Sequence, residues 1–435
     1  MEHFFYIRFS KLGERFDPSV YRARFEYISK IFPNVKLNEI AYIDPATYFD
    51  KYPRDMQISF VPMDSINATY GTIETQQTIA ISQSKGYTRF QEGDLLWAKI
   101  TPCMQNGKSA IAHNLVNGFG CGSTEFFVIR PKNSQIVLSE YLYILLRNEK
   151  VLQGAMNFFG GSAGQQRVSP IFLRDFIIPL PDVAVQRDII ARYFRALTLK
   201  RQQEQEADRL IQSIDDYILS ELGIERPERT ENGRFFYTSF KEITGGELAP
   251  ISVQNRGKQS KSTQYKEIKL STIASITKGQ AITSKEIVDG EYPVIAGGQS
   301  SPYTHNQYNH KGDVITVSAS GAYSGYVWYH DYPIFASDCS VIFSKDNNVF
   351  LTKYIYEILR LRQKEIYLLQ KGAGQPHVYA SDLAQITIPV VSIEKQMEII
   401  LHCNNLRIAA AELKQEGKHL VESAKMAIEA MILGE

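Results

Sequence analysis

The sequence predicts an α+β chain of two tandem domains, each followed by a long helix, with the two helices pairing as a coiled coil. Three observations carry this. A proline-free stretch that opens Gln186-Arg187-Asp188-Ile189-Ile190 and closes Leu222-Gly223 returns as one that opens Gln396-Met397-Glu398-Ile399-Ile400 and closes Leu433-Gly434. Within the second stretch Cys403, Leu406, Ala410, Leu413, Gly417, Leu420, Ala424, Ala427 and Met431 are spaced alternately three and four apart, the a/d seam of a coiled coil. The segments that precede the two stretches also repeat in order, as expected of a duplicated unit.

One row of that seam, Cys403, Ala410, Gly417 and Ala424, is small and admits a close partner. The first stretch supplies one, with Ala196, Ala207, Leu210, Ile214 and Tyr217 at matching places. At about 1.5 Å per residue such a helix is a rod on the order of 60 Å long, long enough to hold two domains apart. The plainer reading is a pair of ordinary amphipathic core helices, and repetition of the whole arrangement counts against it.

Length and composition set bounds. The chain of 435 residues, 44% hydrophobic and 22% charged, has the make-up of a soluble protein of two or three domains. Its net charge of +1 supplies no general basic surface, so nucleic-acid contact must come from local clusters. The four cysteines, Cys103, Cys121, Cys339 and Cys403, form no Cys-x-x-Cys pair and read as reduced residues, with no metal site. No window reaches the roughly 18 apolar residues of a membrane span, and residues 1–12 lack a signal peptide's apolar run. A cytoplasmic location and no membrane partner are therefore expected.

In chain order, Arg15-Phe16-Asp17-Pro18 leads into a predicted helix over 20–31, with Tyr21, Phe25 and Ile28 as its apolar stripe. Short apolar runs follow, including 58–61, 95–100 and 126–129, which read as strands between polar loops. A short helix is predicted over 139–147, and Phe176-Ile177-Ile178-Pro179-Leu180-Pro181 reads as a strand ended by prolines. The second half matches: Lys36-Leu37 with Lys269-Leu270, Gly93-Asp94 with Gly312-Asp313, Tyr141-Leu142-Tyr143 with Tyr354-Ile355-Tyr356, and Ile178-Pro179 with Ile388-Pro389. The expected domains are residues 1–182 and 224–392, with the helices at 183–223 and 393–435. Between them, Gly223–Asn232 has the composition of a linker. The basic stretch Gln254–Lys269, which includes Lys261, is either a solvated loop or a phosphate-contacting arm.

The sequence carries little catalytic chemistry. Phe119-Gly120-Cys121-Gly122 is a loose echo of a methyltransferase glycine loop without its strand-turn-helix context, and Asp44-Pro45-Ala46-Thr47 lacks an aromatic group to stack on a target base. Gly107-Lys108-Ser109 ends like a phosphate-binding P-loop, but Pro102 stands where its first glycine is required. Asp94 with Lys99 makes a poor nuclease set, because the twin around Asp313 has Ser318 in place of the lysine. His305 and His310 read as surface histidines rather than metal ligands.

The loops after the two Gly-Asp strands are richer. The first carries Lys99, Thr101, Gln105, Asn106 and Lys108, and the second carries Ser318, Ser320, Tyr323 and Ser324. Ser123 and Thr124 join the first set, and Gln299, Ser300, Ser301 and Tyr303 the second. The turns Gly164-Gln165-Gln166-Arg167 and Gly374-Gln375-Pro376-His377 complete them. Amides pair with adenine, lysine with guanine, and hydroxyls with base or backbone, so these residues are the candidate DNA-binding set. The framework repeats while the loops differ, the pattern of two recognition modules on one scaffold.

The duplicated order, the Ile-Pro strand endings at Pro179 and Pro389, and the helices beginning near Gln186 and Gln396 resemble the specificity subunits of type I restriction-modification systems. The resemblance covers nearly the whole chain. It implies two target-recognition domains that each read one half of a bipartite double-stranded DNA sequence, and antiparallel helices that set their separation and help to bind modification (methyltransferase) subunits. It implies a chain that is not itself an enzyme and binds no cofactor. S-adenosylmethionine, ATP and Mg would serve the partner subunits, with or without a restriction subunit among them. The alternative is a stand-alone DNA-binding or scaffold protein with the same duplicated fold.

Overall fold

A computed structural model describes residues 27–75, 77–161, 165–225, 261–372 and 374–435. They fall into two compact units, one comprising the chain up to Glu204 together with Lys414–Glu435, the other Gln205–Leu413. Each unit therefore holds one α+β domain and one half of each long helix.

In the first unit the strands are β1 (Asn34–Lys36), β2 (Ala41–Ile43), β3 (Gln57–Val61), β4 (Gln77–Ala80), β5 (Thr88–Gln91), β6 (Leu95–Ala98), β7 (Ser109–Ile111), β8 (Phe119–Gly122), β9 (Phe126–Pro131) and β10 (Ile177–Pro179), with helix α1 (Ser139–Leu146) before the last. One sheet has the order β2-β9-β6-β7 and a second the order β4-β3-β8-β5. Leu95, Leu96, Trp97 and Ala98 are all buried because β6 is covered on both faces. Successive side chains of a strand point to opposite faces. Leu95 and Trp97, with Phe127 and Ile129 of β9, therefore join the core shared with the helices. Leu96, Phe126 and Val128 instead join Val61 and Phe90 in the core between the two sheets.

The second unit repeats this plan with β11 (Glu267–Lys269), β12 (Ala274–Lys278), β13 (Tyr292–Ile295), β14 (Thr304–His305), β15 (Val314–Ser318), β16 (Val327–His330), β17 (Phe335–Ala336), β18 (Cys339–Ser344) and β19 (Thr387–Pro389), with helix α3 (Thr352–Leu361) before the last. The main sheet runs β12-β18-β15-β16 and the smaller one β14-β13-β17. Ile315, Val317 and Ile342 face the helix-side core, and Val314, Cys339 and Val341 face the smaller sheet.

Two small frames join each domain to its long helix. Strand β1 pairs antiparallel with β10, Asn34 opposite Pro179, as β11 pairs with β19, Glu267 opposite Pro389. The Tyr141 hydroxyl donates to the Pro179 carbonyl at 2.8 Å, and the Tyr354 hydroxyl to that of Pro389 at 2.9 Å. Gln186 is fully buried in the first turn of its long helix. Its Oε1 accepts from Leu138 N at 3.0 Å, and its Nε2 donates to the carbonyls of Ile136 at 2.8 Å and Pro181 at 2.9 Å. Gln396 does the same with Leu351 N at 2.8 Å, Val349 O at 2.8 Å and Val391 O at 3.2 Å.

The long helices, α2 (Val183–Leu222) and α4 (Ile393–Leu433), contain 40 and 41 residues. They run antiparallel in both units. Lys200 lies against Gly417 in the first. In the second, Tyr217 stacks on His402 at 3.8 Å between ring centroids and Lys395 pairs with Glu221, so each step forward on α2 is a step back on α4. Cys403, Ala410 and Gly417 are buried as the small row predicts. A Cβ on Gly417 would come within 3.3 Å of the Lys200 Cα and 3.2 Å of its Cγ.

Past Gly417 the fully buried row shifts, although Ala424 and Met431 of the predicted seam stay half-buried against the first core. Ala427 is exposed and Leu420 only half-buried, while Val421, Ile428 and Ile432 are buried against Tyr193, Ala196 and Leu197. An α-helix drifts about 20° per heptad from a strict 3.5-residue repeat. A further spacing of four, from Gly417 to Val421, follows that drift.

Other expectations also change. Of the helix expected over 20–31, residues 20–26 lie outside the described residues, and 27–31 are not helical. Tyr27 is buried in the first core and Lys30 N donates to the Leu433 carbonyl at 2.9 Å. The start of the expected linker is ordered, since Ile224–Glu225 pairs with Lys261–Ser262; residues 226–232 lie outside the described residues. So do 254–260 of the basic stretch, while Lys269 stands in β11 with its ammonium on Gln385 Oε1 at 2.7 Å.

His330 is fully buried, with Nε2 2.8 Å from the Thr316 hydroxyl, and burial holds its pKa down at about 4, against the pull of Asp331. Below about 6.5 the unfolded chain takes up a proton that the folded chain refuses, so stability falls as pH drops from about 6.5 toward about 4. His330→Gln should flatten that part of the pH profile, read as denaturation midpoints at pH 7 and pH 5. A slope equal to that of the wild type would show that another group controls it.

The two glutamines give a second test. Gln186→Met keeps the volume but strands a buried N–H and two carbonyls, and should cost about 3 kcal/mol. Gln396→Met should cost as much, whereas Gln153→Met, on an exposed side chain, should cost close to nothing. Chemical denaturation of the three variants decides this, and equal midpoints would refute it.

Candidate nucleic-acid interface

In the first domain three segments meet at the end of β6. Lys99 N donates to the Glu125 carbonyl at 2.9 Å, Val168 N to the Lys99 carbonyl at 2.9 Å and Thr101 N to the Gln166 carbonyl at 2.9 Å. Segments 99–101, 123–125 and 165–168 are thus one hydrogen-bonded junction. On it Thr124 and Gln165 are exposed, and Lys99, Thr101, Ser123 and Gln166 are half-buried. The Lys99 ammonium lies over the Phe127 ring, 5.2 Å from its centroid, and Arg167 grips Glu125 through Nε at 2.9 Å and Nη2 at 2.7 Å.

The second domain builds the same junction at the end of β15. Ala319 N donates to the Asp338 carbonyl at 3.2 Å, Val378 N to the Ala319 carbonyl at 3.1 Å and Gly321 N to the Pro376 carbonyl at 3.1 Å. These bonds place Ala319 where the first domain has Lys99, His377 where it has Arg167 and Asp338 where it has Glu125. Counting from the two Gly-Asp pairs sets Ser318 opposite Lys99. The count slips because β15 contains 5 residues and β6 only 4.

Several predicted residues do not present themselves to a ligand. Ser318 is buried, its hydroxyl 3.4 Å from the carbonyls of Ala296 and Gly298, and Ser324 is fully buried. The Ser301 hydroxyl donates within its own loop, 2.9 Å from the Val294 carbonyl and 3.0 Å from that of Tyr303. The Ser320 hydroxyl donates to the Asp338 carboxylate. Gln105 and Asn106 are exposed but line a cavity of about 540 Å³ with Arg147, Tyr193, Lys200 and Lys418, on the side of the long helices. Lys108 is half-buried behind them, and the backbone of Lys261 pairs with Glu225 away from the junction. Gln299, Ser300, Tyr303, Tyr323 and Gln375 are exposed, and His377 is half-buried with its ring 6.2 Å from that of Tyr379.

His305 is not a surface histidine. It is buried, its Nδ1 accepts from Val288 N at 3.1 Å, and its ring stands edge-on to Phe335. His310 is half-buried, which lowers its pKa. Among the described residues no group of three His, Cys, Asp or Glu is placed to hold a metal ion, and no helix is long and apolar enough to cross a membrane.

Two carboxylates escaped the sequence reading, Glu125 and Asp338. Their signal was present, since each stands immediately before the longest apolar strand among the described residues of its domain, Phe126–Pro131 and Cys339–Ser344.

Residues 32–209 and 262–416 match the type I restriction modification DNA specificity domain. The chain belongs to this family. Each matched region of the specificity domain runs from its first frame strand into its long helix. The specificity subunit of the type I restriction enzyme EcoAI of Escherichia coli is 38% identical over 172 residues, 39% of this chain and 29% of that one. That of EcoEI, also from Escherichia coli, is 34% identical over 174 residues, 40% of this chain and 29% of that one. The chain thus matches less than a third of the length of these relatives. A solved chain, from work on the complex assembly and conformational transition of the type I R-M system, shares the fold. Its TM-score is 0.58 at 16% identity, over 93% of this chain and 97% of that one.

The Gly-Asp pairs that introduce the two specificity-domain junctions are energetically unlike. Asp94 is buried and takes Arg130 Nε and Nη2 at 2.7 Å each, together with Gln91 N at 2.8 Å. Asp313 is exposed at φ 51°, held by the Tyr329 hydroxyl at 2.9 Å. Removing one partner of a buried pair costs about 3–5 kcal/mol, whereas an exposed carboxylate that accepts from a hydroxyl can be replaced by an amide whose oxygen accepts the same bond. Asp94→Ala should therefore shift the denaturation midpoint strongly, and Asp313→Asn, which tolerates the left-handed φ, hardly at all. Equal shifts would refute the contrast.

Proposed function

We propose that the chain is a DNA-sequence-specificity subunit that reads a bipartite target in double-stranded DNA, one half with each domain. In this reading it directs modification, and restriction where a restriction subunit is present, by the subunits it assembles with. The observation that carries the reading is the junction itself: one backbone hydrogen-bonding pattern occurs in both domains, with Lys99, Glu125 and Arg167 in one and Ala319, Asp338 and His377 in the other. A fixed scaffold with exchanged polar side chains suits base-edge readout, in which the side-chain donors and acceptors specify the sequence.

Membership of the specificity-domain family supports the same reading. The chain itself would not catalyse. Methyl transfer from S-adenosylmethionine and any ATP- and Mg-dependent cleavage would belong to the partner subunits, and the paired helices would set the spacing of the half-sites.

Exchange of residues 36–181 for the corresponding segment of another specificity chain tests this. Methylome sequencing of a host carrying the chimera and its methyltransferase subunits should show one half of the methylated motif changed and the other intact. A change in both halves, or no two-part motif for the parent chain, would overturn it.

A further inference from the structure

We infer that Arg167 reads a guanine in the half-site of the first domain and that Glu125 is the residue that positions it, an assignment that rests on the DNA-reading role proposed above.

The backbone at Arg167 is fixed from both sides. It forms a bridge with Ile100 and pairs with Gly160 across the short strand Phe159–Gly160. The guanidinium carries five N–H groups and no acceptor. Glu125 takes the Nε edge, with Nε 2.9 Å from Oε2 and Nη2 2.7 Å from Oε1, and Gln165 O takes one proton of Nη1 at 3.0 Å. One N–H remains on Nη1 and one on Nη2, on a side chain that is 44% exposed.

Two donors in a rigid fork match one base in the major groove. Guanine presents two acceptors, O6 and N7, whereas adenine pairs an acceptor with a donor, thymine offers one acceptor, and cytosine offers a donor. A phosphate also has two acceptors, but the Arg167–Glu125 pair is neutral as a whole and places a carboxylate beside any anion that approaches. A positioned, charge-compensated fork is suited to a neutral base edge. As a surface ion pair it would contribute only slightly to stability.

Among the described residues the second domain has no equivalent. At the same place stands His377, and the Asp338 carboxylate is occupied by the Ser320 hydroxyl. The guanine is therefore assigned to one half-site only, the one that changes when residues 36–181 are exchanged.

The test uses the full chain co-expressed with its methyltransferase subunits and a randomised double-stranded DNA library, from which bound sequences are selected and counted. The wild type should enrich a two-part motif with a G·C pair in the half read by the first domain. Arg167→Ala should lower the preference for that pair by roughly ten- to a hundredfold and leave every position of the other half unchanged. Arg167→Lys should relax the same position, because lysine keeps the charge but not the fork. Glu125→Gln should relax it too, while total affinity for unselected duplex stays the same or rises, since a compensating charge is lost; a purely structural role for Glu125 would not produce that combination.

A wild-type library with no two-part motif would overturn the proposed function itself. A two-part motif without a G·C pair in that half, or one kept intact by Arg167→Ala, would overturn only the assignment of Arg167. Restoration of the full preference by Arg167→Lys, with a uniform loss across sequences for Arg167→Ala, would make it a phosphate contact and overturn the guanine assignment as well.

Discussion

Everything in each unit hangs on one buried amide. Gln186 and Gln396 are fully buried in the first turns of their long helices, and each satisfies a backbone N–H and two carbonyls of the surrounding chain. A buried polar group without partners is costly, whereas one with all its partners fixes a single geometry. The amide is thus a coupling between the direction of the helix and the domain it leaves. The tyrosine hydroxyls on Pro179 and Pro389 hold the strand that precedes the helix from its other side.

On that shared frame the two domains grip their helices differently. In the first, Arg147 donates to the Gly107 and Thr69 carbonyls. Tyr70, in the hairpin formed by Ile66–Asn67 and Thr72–Ile73, donates to Glu204 of α2 beneath Lys200 and Arg201. In the second, the buried Glu357 receives both Nη atoms of Arg407 of α4 at 2.6 Å, and Arg360, in the place of Arg147, turns to Asp215 of α2. Buried or partly buried charge pairs of this kind give geometric definition more than stability. The same economy governs the junctions, where backbone bonds build the platform and leave the side chains to differ.

Much of this was legible from residue order. The two long helices, the frame strands ended by proline and the tandem plan follow from apolar spacing, proline positions and repetition, which are local and periodic signals. The polar loops were legible as places, and the junction does gather Lys99, Thr101, Ser123, Thr124, Gln165, Gln166 and Arg167. Their individual orientation was not. Ser318 and Ser324 point inward because strand length and a tight turn at Gly325, with φ 93°, set their facing, and neither is visible in composition.

What the sequence by itself determined is therefore the repeated scaffold, because period and punctuation are written along the chain. The tertiary structure alone decided which residues of the two halves are equivalent, since one added residue in β15 moves the correspondence of Lys99 from Ser318 to Ala319. It also decided that His305 is buried, that the seam of α4 passes from Leu420 to Val421 as the helix drifts from the heptad, and that Glu125 meets Arg167 across the junction. Each depends on register or on contact between segments far apart in sequence, and a register is fixed only when both partners are in place.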